Sequence, residues 1–369
     1  MGEWQQEGLE GVVSPLLDWY DRERRTLPWR EKPEPYRVWI SEIMLQQTRV
    51  DTVIPYFERF MNTFPTIEDL ANGPVDEVLR LWSGLGYYSR ARNLHRCAQV
   101  VRDTWAGELP ATVKELESLP GIGRYTAGAI SSIAFGQQAS LLDGNVIRVF
   151  SRWTDLGMEV GQTVTKRMLW QWADELVPEE RPGDFNQALM ELGALVCTPR
   201  SPDCGLCPVD TTCVSRREGT VDIRPVKAKK KKAKKVQVRA AVLRNGEGEI
   251  LLFQRPPKGL FGGLWECFQQ EGLEEESVSR VQGWLEAQLG LQVESAGPPG
   301  RGEHVLTHRR MQLVVYPFKV LSGQPGDVVQ PYERWRWVKE EELDTLGVGA
   351  VTGKMLSLLS GQGQLNFKG

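Results

Sequence analysis

The pattern of apolar positions changes character a little beyond the middle of the chain. Up to residue 224 apolar residues recur at helical spacing, as in residues 38–45, 67–82 and 125–135. Beyond residue 236 short β-rich runs take over, at 237–243, 249–253, 311–320 and 335–338, with one helical stretch over 274–289. Between the two lies a segment, 225–235, with seven lysines and almost no apolar anchor. Such a run repels itself, stays extended and serves as a linker. The pattern predicts a multidomain protein: an all-α domain over 1–224, a lysine-rich linker over 225–235, and an α+β domain over 236–369. No internal repeat is visible.

Composition adds limits. At 369 residues, 41% hydrophobic and 25% charged, the chain has ordinary globular proportions and room for two cores. No stretch approaches the apolar length of a membrane span. The first residues, MGEWQQE, lack the basic-then-apolar profile of a signal peptide, so a reducing cytoplasm is the expected compartment. The net charge of −3 is uneven. Residues 1–224 sum to about −8, the linker to about +7 and the rest to about −2 by counting Asp, Glu, Lys and Arg. A polyanionic partner would therefore need a local patch or the lysine run itself. One patch is Arg80, Arg90, Arg92, Arg96 and Arg102, with Trp82, Tyr87 and Tyr88 interleaved and no acid between. A solvated helix face would look the same.

Chemistry concentrates in two motifs. Cys197, Cys204, Cys207 and Cys213 are spaced x6, x2 and x5 on a Pro-rich segment. Four thiolates so close suit a metal: a [4Fe–4S] cluster, which tolerates irregular spacing, or a structural zinc. Unligated thiols are the third reading, and disulfides do not fit a reducing compartment. Cys97 and Cys267 read as small core residues. The second motif is Leu119-Pro-Gly121-Ile-Gly123-Arg-Tyr125, where Gly121 and Gly123 make a tight turn before an apolar helix. A helix start with outward N–H groups and no Cβ in the way can receive a phosphate; the same string also serves as a plain helix–helix turn. Flanked by helices it looks like a helix-hairpin-helix, which grips DNA backbone without reading bases.

With these motifs in this order, the chain resembles the endonuclease III superfamily of DNA glycosylases, and within it the adenine DNA glycosylases of the MutY family. The resemblance rests on Leu27-Pro-Trp29-Arg30, residues 39–48 around Glu42 and Gln47, Gly84-Leu-Gly-Tyr87-Tyr88, the hairpin, Leu141-Leu-Asp143-Gly-Asn145, residues 185–193 with Gln187, and the cysteines. It implies a helix-hairpin-helix catalytic domain with a [4Fe–4S] module, and a double-stranded DNA partner with adenine opposite 8-oxoguanine or guanine. A monomer associated with the nucleoid is expected. Glu42, among Ile40, Ile43 and Met44, would be the general acid, its proton retained by desolvation. Asp143 would face the cationic sugar of an oxocarbenium-like transition state, with Tyr125 and Asn145 as its hydrogen-bonding partners. Away from the family pattern, a lone helical Glu is usually on the surface and an Asp before Gly-Asn is usually a cap.

Bifunctional members carry a lysine where this chain has Tyr125. A phenol cannot form a Schiff base, so removal of a base without strand cleavage is expected. By the same resemblance Arg25, Trp29, Arg30 and Leu45 would wall the adenine pocket. Gln47 and Tyr87 would wedge into the stack left by the flipped base. The cysteine loop would present Arg200, Arg216 or Arg217 to phosphate.

Residues 236–369 resemble a Nudix domain without its chemistry. Gly283, Trp284, Ala287 and Gln288 stand where the metal-binding motif requires Arg-Glu and Glu-Glu, so neither a Mg²⁺ site nor nucleotide hydrolysis is expected. The family's Phe-Ser-His reading triplet is Leu306-Thr307-His308 here, which keeps the hydroxyl and the imidazole but loses the ring. Two other readings stay open: a bifunctional oxidised-pyrimidine glycosylase/lyase, and a non-catalytic iron–sulfur DNA-binding protein.

Overall fold

A computed structural model describes residues 4–228, 233–272, 277–306, 308–327 and 329–360, with the side chains of 4–10 left out. Thr307, part of the lysine run (229–232) and the first residues of the expected 274–289 helix fall outside these. Chain contacts divide the molecule into two compact units, one formed by residues up to Asn72 and from Arg96 to the lysine run, the other by Gly73–His95 and the C-terminal part. Residues 73–95, inside the expected first domain, are grouped by their contacts with the second unit.

Helices of the first part are α1 (Trp4–Glu23), α2 (Pro28–Glu31), α3 (Pro35–Leu45), α4 (Val50–Thr63), α5 (Ile67–Asn72), α6 (Val75–Leu81), α7 (Ser89–Thr104), α8 (Val113–Glu117), α9 (Arg124–Phe135), α10 (Gly144–Trp153), α11 (Thr163–Leu176), α12 (Pro182–Leu195) and α13 (Val214–Arg217). The helix expected over 67–82 is two helices. Pro74 lacks an N–H and pushes Gly73 out of the helical region, so the chain turns there and Pro74 becomes the N-cap of α6.

In the first unit α9 is the central element. It packs on α3 and α12 and buries Thr126 through Ser132. Gly128 allows this: a Cβ there would lie 1.9 Å from the carbonyl oxygen of Ser140, so only hydrogen lets residues 139–142 cross the helix so closely. Asn186 of α12 ties the crossing, its buried amide donating to Ser132 Oγ at 2.9 Å and to the Ala139 carbonyl at 2.7 Å. Tyr20, Phe150, Trp153 and Phe185 fill the core around α10 and α12.

The second unit is built on β1 (Lys234–Arg244), which runs parallel to a long strand, Arg309–Ser322, along its whole length. The other strands are β2 (Ile250–Gln254), β3 (Trp265–Glu266), β4 (Phe268–Glu271), β5 (Gln292–Ser295) and β6 (Gly300–Val305); the long strand is β7, and β8 is Arg334–Val338. Period-two alternation works on both faces. Val238, Ala240 and Val242 enter one core, closed by Met355 and Leu356 of α15 (Ala350–Ser357). Ala241 and Leu243 enter the other, closed by Val281, Leu285 and Leu289 of α14 (Val278–Leu289). Residues 73–95 are fastened to this sheet by polar contacts: Arg334 donates to Asp76 at 2.9 Å and Ser83 Oγ donates to the Val348 carbonyl at 3.0 Å. Arg92 donates to the Gly262 carbonyl.

The arginines suggested as a basic patch are therefore mostly engaged. Arg92 is used as above; Arg90 donates to the Leu85 and Gly86 carbonyls, Arg80 pairs with Glu77 and Arg102 with Asp103. Cys97 and Cys267 are buried, as expected of core residues.

Gly128→Ala is expected to destabilise the first unit by at least about 2 kcal/mol, as overpacking against backbone does. Urea denaturation checks this; a change below about 0.5 kcal/mol would mean residues 139–142 are not held against α9.

Candidate active site

Several helices of the first unit converge on one cavity of about 160 Å³. A cavity of roughly 150 Å³ admits a small flat aromatic molecule, so this one is on the scale of a base and not of a whole nucleotide. The lining includes Trp29 and Arg30 of α2, Glu42 and Leu45 of α3, Tyr125 of α9 and Asp143 with Asn145 at the start of α10. From α12 come Gln187, Met190, Glu191 and Ala194, whose i, i+3, i+4, i+7 spacing sets them on one helix face. Arg25 completes the wall.

Glu42 is 5% exposed. Burial pushes its carboxyl up to about 7; the charge of Asp143 adds to this, while the Tyr125 hydroxyl and Arg30 oppose it. Tyr125 donates to Glu42 Oε2 at 2.5 Å, and burial holds the phenol well above its usual range, so it remains a donor. Tyr125 thus serves Glu42 and touches the Met190 sulfur, whereas a bond to Asp143 was expected. The reason is its place in the first turn of α9, which packs on α3.

Asp143 is the N-cap of α10, accepting from the Val146 N–H at 2.7 Å and from the Asn145 amide at 3.0 Å. Burial pushes its carboxyl up too, but these donors and Arg148 pull the other way. Of the two carboxyls, Asp143 is the one furnished for the anion.

Glu191 is a third carboxyl, quoted in the 185–193 block but not singled out among the functional residues. It is 1% exposed. Burial raises its pKa, but hydrogen bonds from Arg25 and Arg30 outweigh this and hold it down to about 2. Arg25 grips it with two parallel bonds of 2.8 Å, and Arg30 approaches at 3.0 Å and 3.2 Å. The two arginines line the cavity as expected, but both are engaged by Glu191, which offsets one of their two charges. Arg30 also donates to Gln187 at 3.1 Å. The available signal was the one used for Glu42, a glutamate in an apolar helical run.

Beneath Asp143, Arg148 donates to Asn145 Oδ1 at 2.8 Å, to the Gly193 carbonyl at 2.7 Å and to the Cys197 carbonyl at 2.7 Å. Gly193 must lack a side chain, since a Cβ would meet Asn145 Cβ at 2.6 Å. One turn on, buried Arg152 donates to the Thr198 and Pro199 carbonyls and reaches Cys197 Sγ at 3.5 Å. Cys197, Cys204, Cys207 and Cys213 line a single small cavity with Arg152. All four thiols are free. Among the described residues no three His, Cys, Asp or Glu side chains are drawn into a metal-binding constellation. The donor set and the adjoining buried guanidiniums nevertheless suit a tetrathiolate centre of net negative charge. Arg216 and Arg217, expected to face phosphate, lean on Asp210 at 3.7 Å and Glu218 at 3.0 Å.

Outside the cavity, the hairpin exposes Gly121, at φ +80°, and Gly123 while Leu119 and Ile122 anchor it in the core. Gly123 caps α9 without a side-chain acceptor. Gln47 is exposed with a left-handed backbone, φ +60°. In the second unit Tyr87 has φ +48° and is 44% exposed. Strained non-glycine residues gather at functional sites. Tyr87 shares a cavity of about 480 Å³ with His304, Leu306 and His308. Thr307 lies outside the described residues.

Three comparisons bear on this geometry. Residues 40–175 match the family model described as HhH-GPD superfamily base excision DNA repair protein, and residues 239–358 match that of the NUDIX domain. Adenine DNA glycosylase of Homo sapiens is 37% identical, over 94% of this chain and 73% of that protein. The Rattus norvegicus protein of the same name is 39% identical, over 87% and 72%. Among solved structures, a thermostable thymine-DNA glycosylase superposes with a TM-score of 0.54 at 30% identity, over 58% of this chain and all of that one.

Because Glu42 is buried, its raised pKa links to stability. The contribution is complete below the unfolded value near 4.5 and is lost as pH rises through about 7. Glu42→Gln removes the ionisation, so its Tm should fall less than the native Tm between pH 5 and pH 8. Parallel Tm curves for the two proteins would show that Glu42 is not desolvated.

Proposed function

Since the chain belongs to the adenine DNA glycosylase family, we propose that its base-sized cavity removes adenine paired with 8-oxoguanine and leaves an abasic site without cutting the strand. The observation that carries this reading is the arrangement of Glu42, Tyr125 and Asp143 around one small cavity. The protein is a DNA glycosylase of base excision repair, and DNA is its partner.

The target base cannot be reached inside a duplex and is flipped into the cavity. There Trp29 and Leu45 offer apolar surface, while Arg30 and Gln187 offer polar edges. Glu42, protonated near neutrality, gives its proton to N7 of adenine. The bond between N9 and C1′ breaks with its electron pair passing to the base, and the sugar becomes oxocarbenium-like. Asp143, held by Val146 N–H and Asn145, stabilises that cation. Water then adds to C1′, and the ionised Glu42 takes up the proton it releases. Tyr125 keeps Glu42 in place. Having no amine, it supplies no Schiff base for strand cleavage.

The four cysteines would hold a [4Fe–4S] cluster, with Arg148 and Arg152 offsetting its charge. When bound, such a cluster ties down the loop that follows α12 and takes no part in base removal. The second-unit cavity with Tyr87, His304 and His308 would read the base opposite the adenine, by its hydrogen-bonding edge. The six free thiols fit a reducing compartment, here taken to be the cytoplasm.

A single-turnover assay on a duplex with one central 8-oxoguanine:A pair tests the reading. Breaks on the A strand only after alkali are expected, with losses of at least about a hundred-fold in Glu42→Gln and Asp143→Asn, the usual scale for a general acid. Breaks without alkali, or equal rates for the variants, would reject it. Purified protein should be brown with absorbance near 400 nm, and Cys207→Ser should lose that colour; stoichiometric zinc in a colourless protein would replace the cluster by a Zn²⁺ site.

A further inference from the structure

The cavity of the second unit holds a feature that the Leu306-Thr307-His308 segment does not explain. Phe261 lines it, from the tight loop between β2 and β3, with φ +58°. Left-handed backbone at a bulky aromatic residue is costly and persists only where the surroundings enforce it. Here they do. Gly263 N–H donates to the carbonyls of Arg255 and Pro256, Gly262 N–H to that of Gly259, and Leu264 N–H to that of Phe261 itself. Gly262 leaves no alternative, since a Cβ there would lie 2.4 Å from the Pro257 carbonyl oxygen. The ring is thus presented on a rigid loop, half-buried against the sheet core.

Both arginines that line the cavity are turned to partners of their own. Arg92 is engaged by the Gly262 carbonyl and Arg309 by Glu271 at 2.8 Å. Burial, aided by Lys354, lowers the pKa of His304, so its imidazole is uncharged at neutral pH. Tyr87 supplies a second, exposed aromatic ring at the same cavity. A site lined by Tyr87, Tyr88 and Phe261, whose arginines are already engaged, suits the face of a planar base. Leu306 lines the same cavity and leans on the same core, but it has no ring to stack.

We propose that Phe261 is a base-binding residue, the aromatic face on which the base opposite the target adenine stacks, a role that Leu306, without a ring, cannot fill. This rests on the reading above that the cavity receives that base. Stacking recognises a ring and not its substituents, so Phe261 should favour any purine over an empty position.

The test is a binding titration on uncleavable duplexes carrying 2′-fluoro-2′-deoxyadenosine, with either 8-oxoguanine or a tetrahydrofuran abasic spacer opposite. Phe261→Leu and Phe261→Met keep the volume but lose the ring, and at least one of them should fold. Either should bind the 8-oxoguanine duplex about ten-fold more weakly, as loss of one stacked base predicts, and bind the spacer duplex as tightly as the native protein. Phe261→Tyr should restore binding, and Leu306→Ala should change it less than Phe261→Leu does. Equal losses on both duplexes would mark Phe261 as merely structural and overturn the proposal, as would no loss on either. If the native protein itself does not distinguish 8-oxoguanine from the spacer, the cavity does not read that base, and the reading it rests on fails with it.

Discussion

Arg148 holds the first unit together at its most consequential point. Its guanidinium is buried beneath Asp143 and donates to two carbonyls and a side-chain amide oxygen drawn from three segments. Removing it would strand those buried acceptors, at about 1–3 kcal/mol for each one left unsatisfied. Because Asp143 caps α10 and Arg148 and Arg152 lie one and two turns along it, a single helix carries the catalytic carboxylate at one end and grips the cysteine loop with its body. The position of the carboxylate and the order of the loop are consequently one property, set by one rigid element.

The same economy governs the three carboxyls. Glu42 and Glu191 are both buried and face one cavity, yet one retains a proton near neutrality and the other is ionised there. Their partners separate them: a phenol that stays neutral for Glu42, two guanidiniums for Glu191. Environments that separate the pKa values of neighbouring acids are how a protein assigns acid and base roles at a single pH. Asp143 is buried as well, and the donors at its helix start oppose the rise that burial causes.

Much of this was legible in the sequence because it follows from local rules. Period and β-branching located α3, α9, β1, β2, β7 and β8 nearly to the residue. Apolar neighbours around Glu42 implied a retained proton, and Asp143 before Gly144 implied a helix cap. What could not be read depends on partners distant in the chain. Glu191 receives Arg25 across 166 residues, and nothing near either one announces the other. Tyr125 points to Glu42 because α9 packs on α3, a tertiary fact. The strain at Phe261 comes from three glycines and a ring of backbone bonds that no composition displays.

The membership of residues 73–95 in the second unit has a consequence for how this protein is made. Synthesis proceeds from the N-terminus, so this segment leaves the ribosome well before the strands it packs on exist. Leu79, which in the finished molecule lies against Gly347, has to wait for nearly the whole remaining chain. Cutting the chain in its lysine run would accordingly strip residues 73–95 of partners, Arg334 and Val348 among them, that lie beyond it.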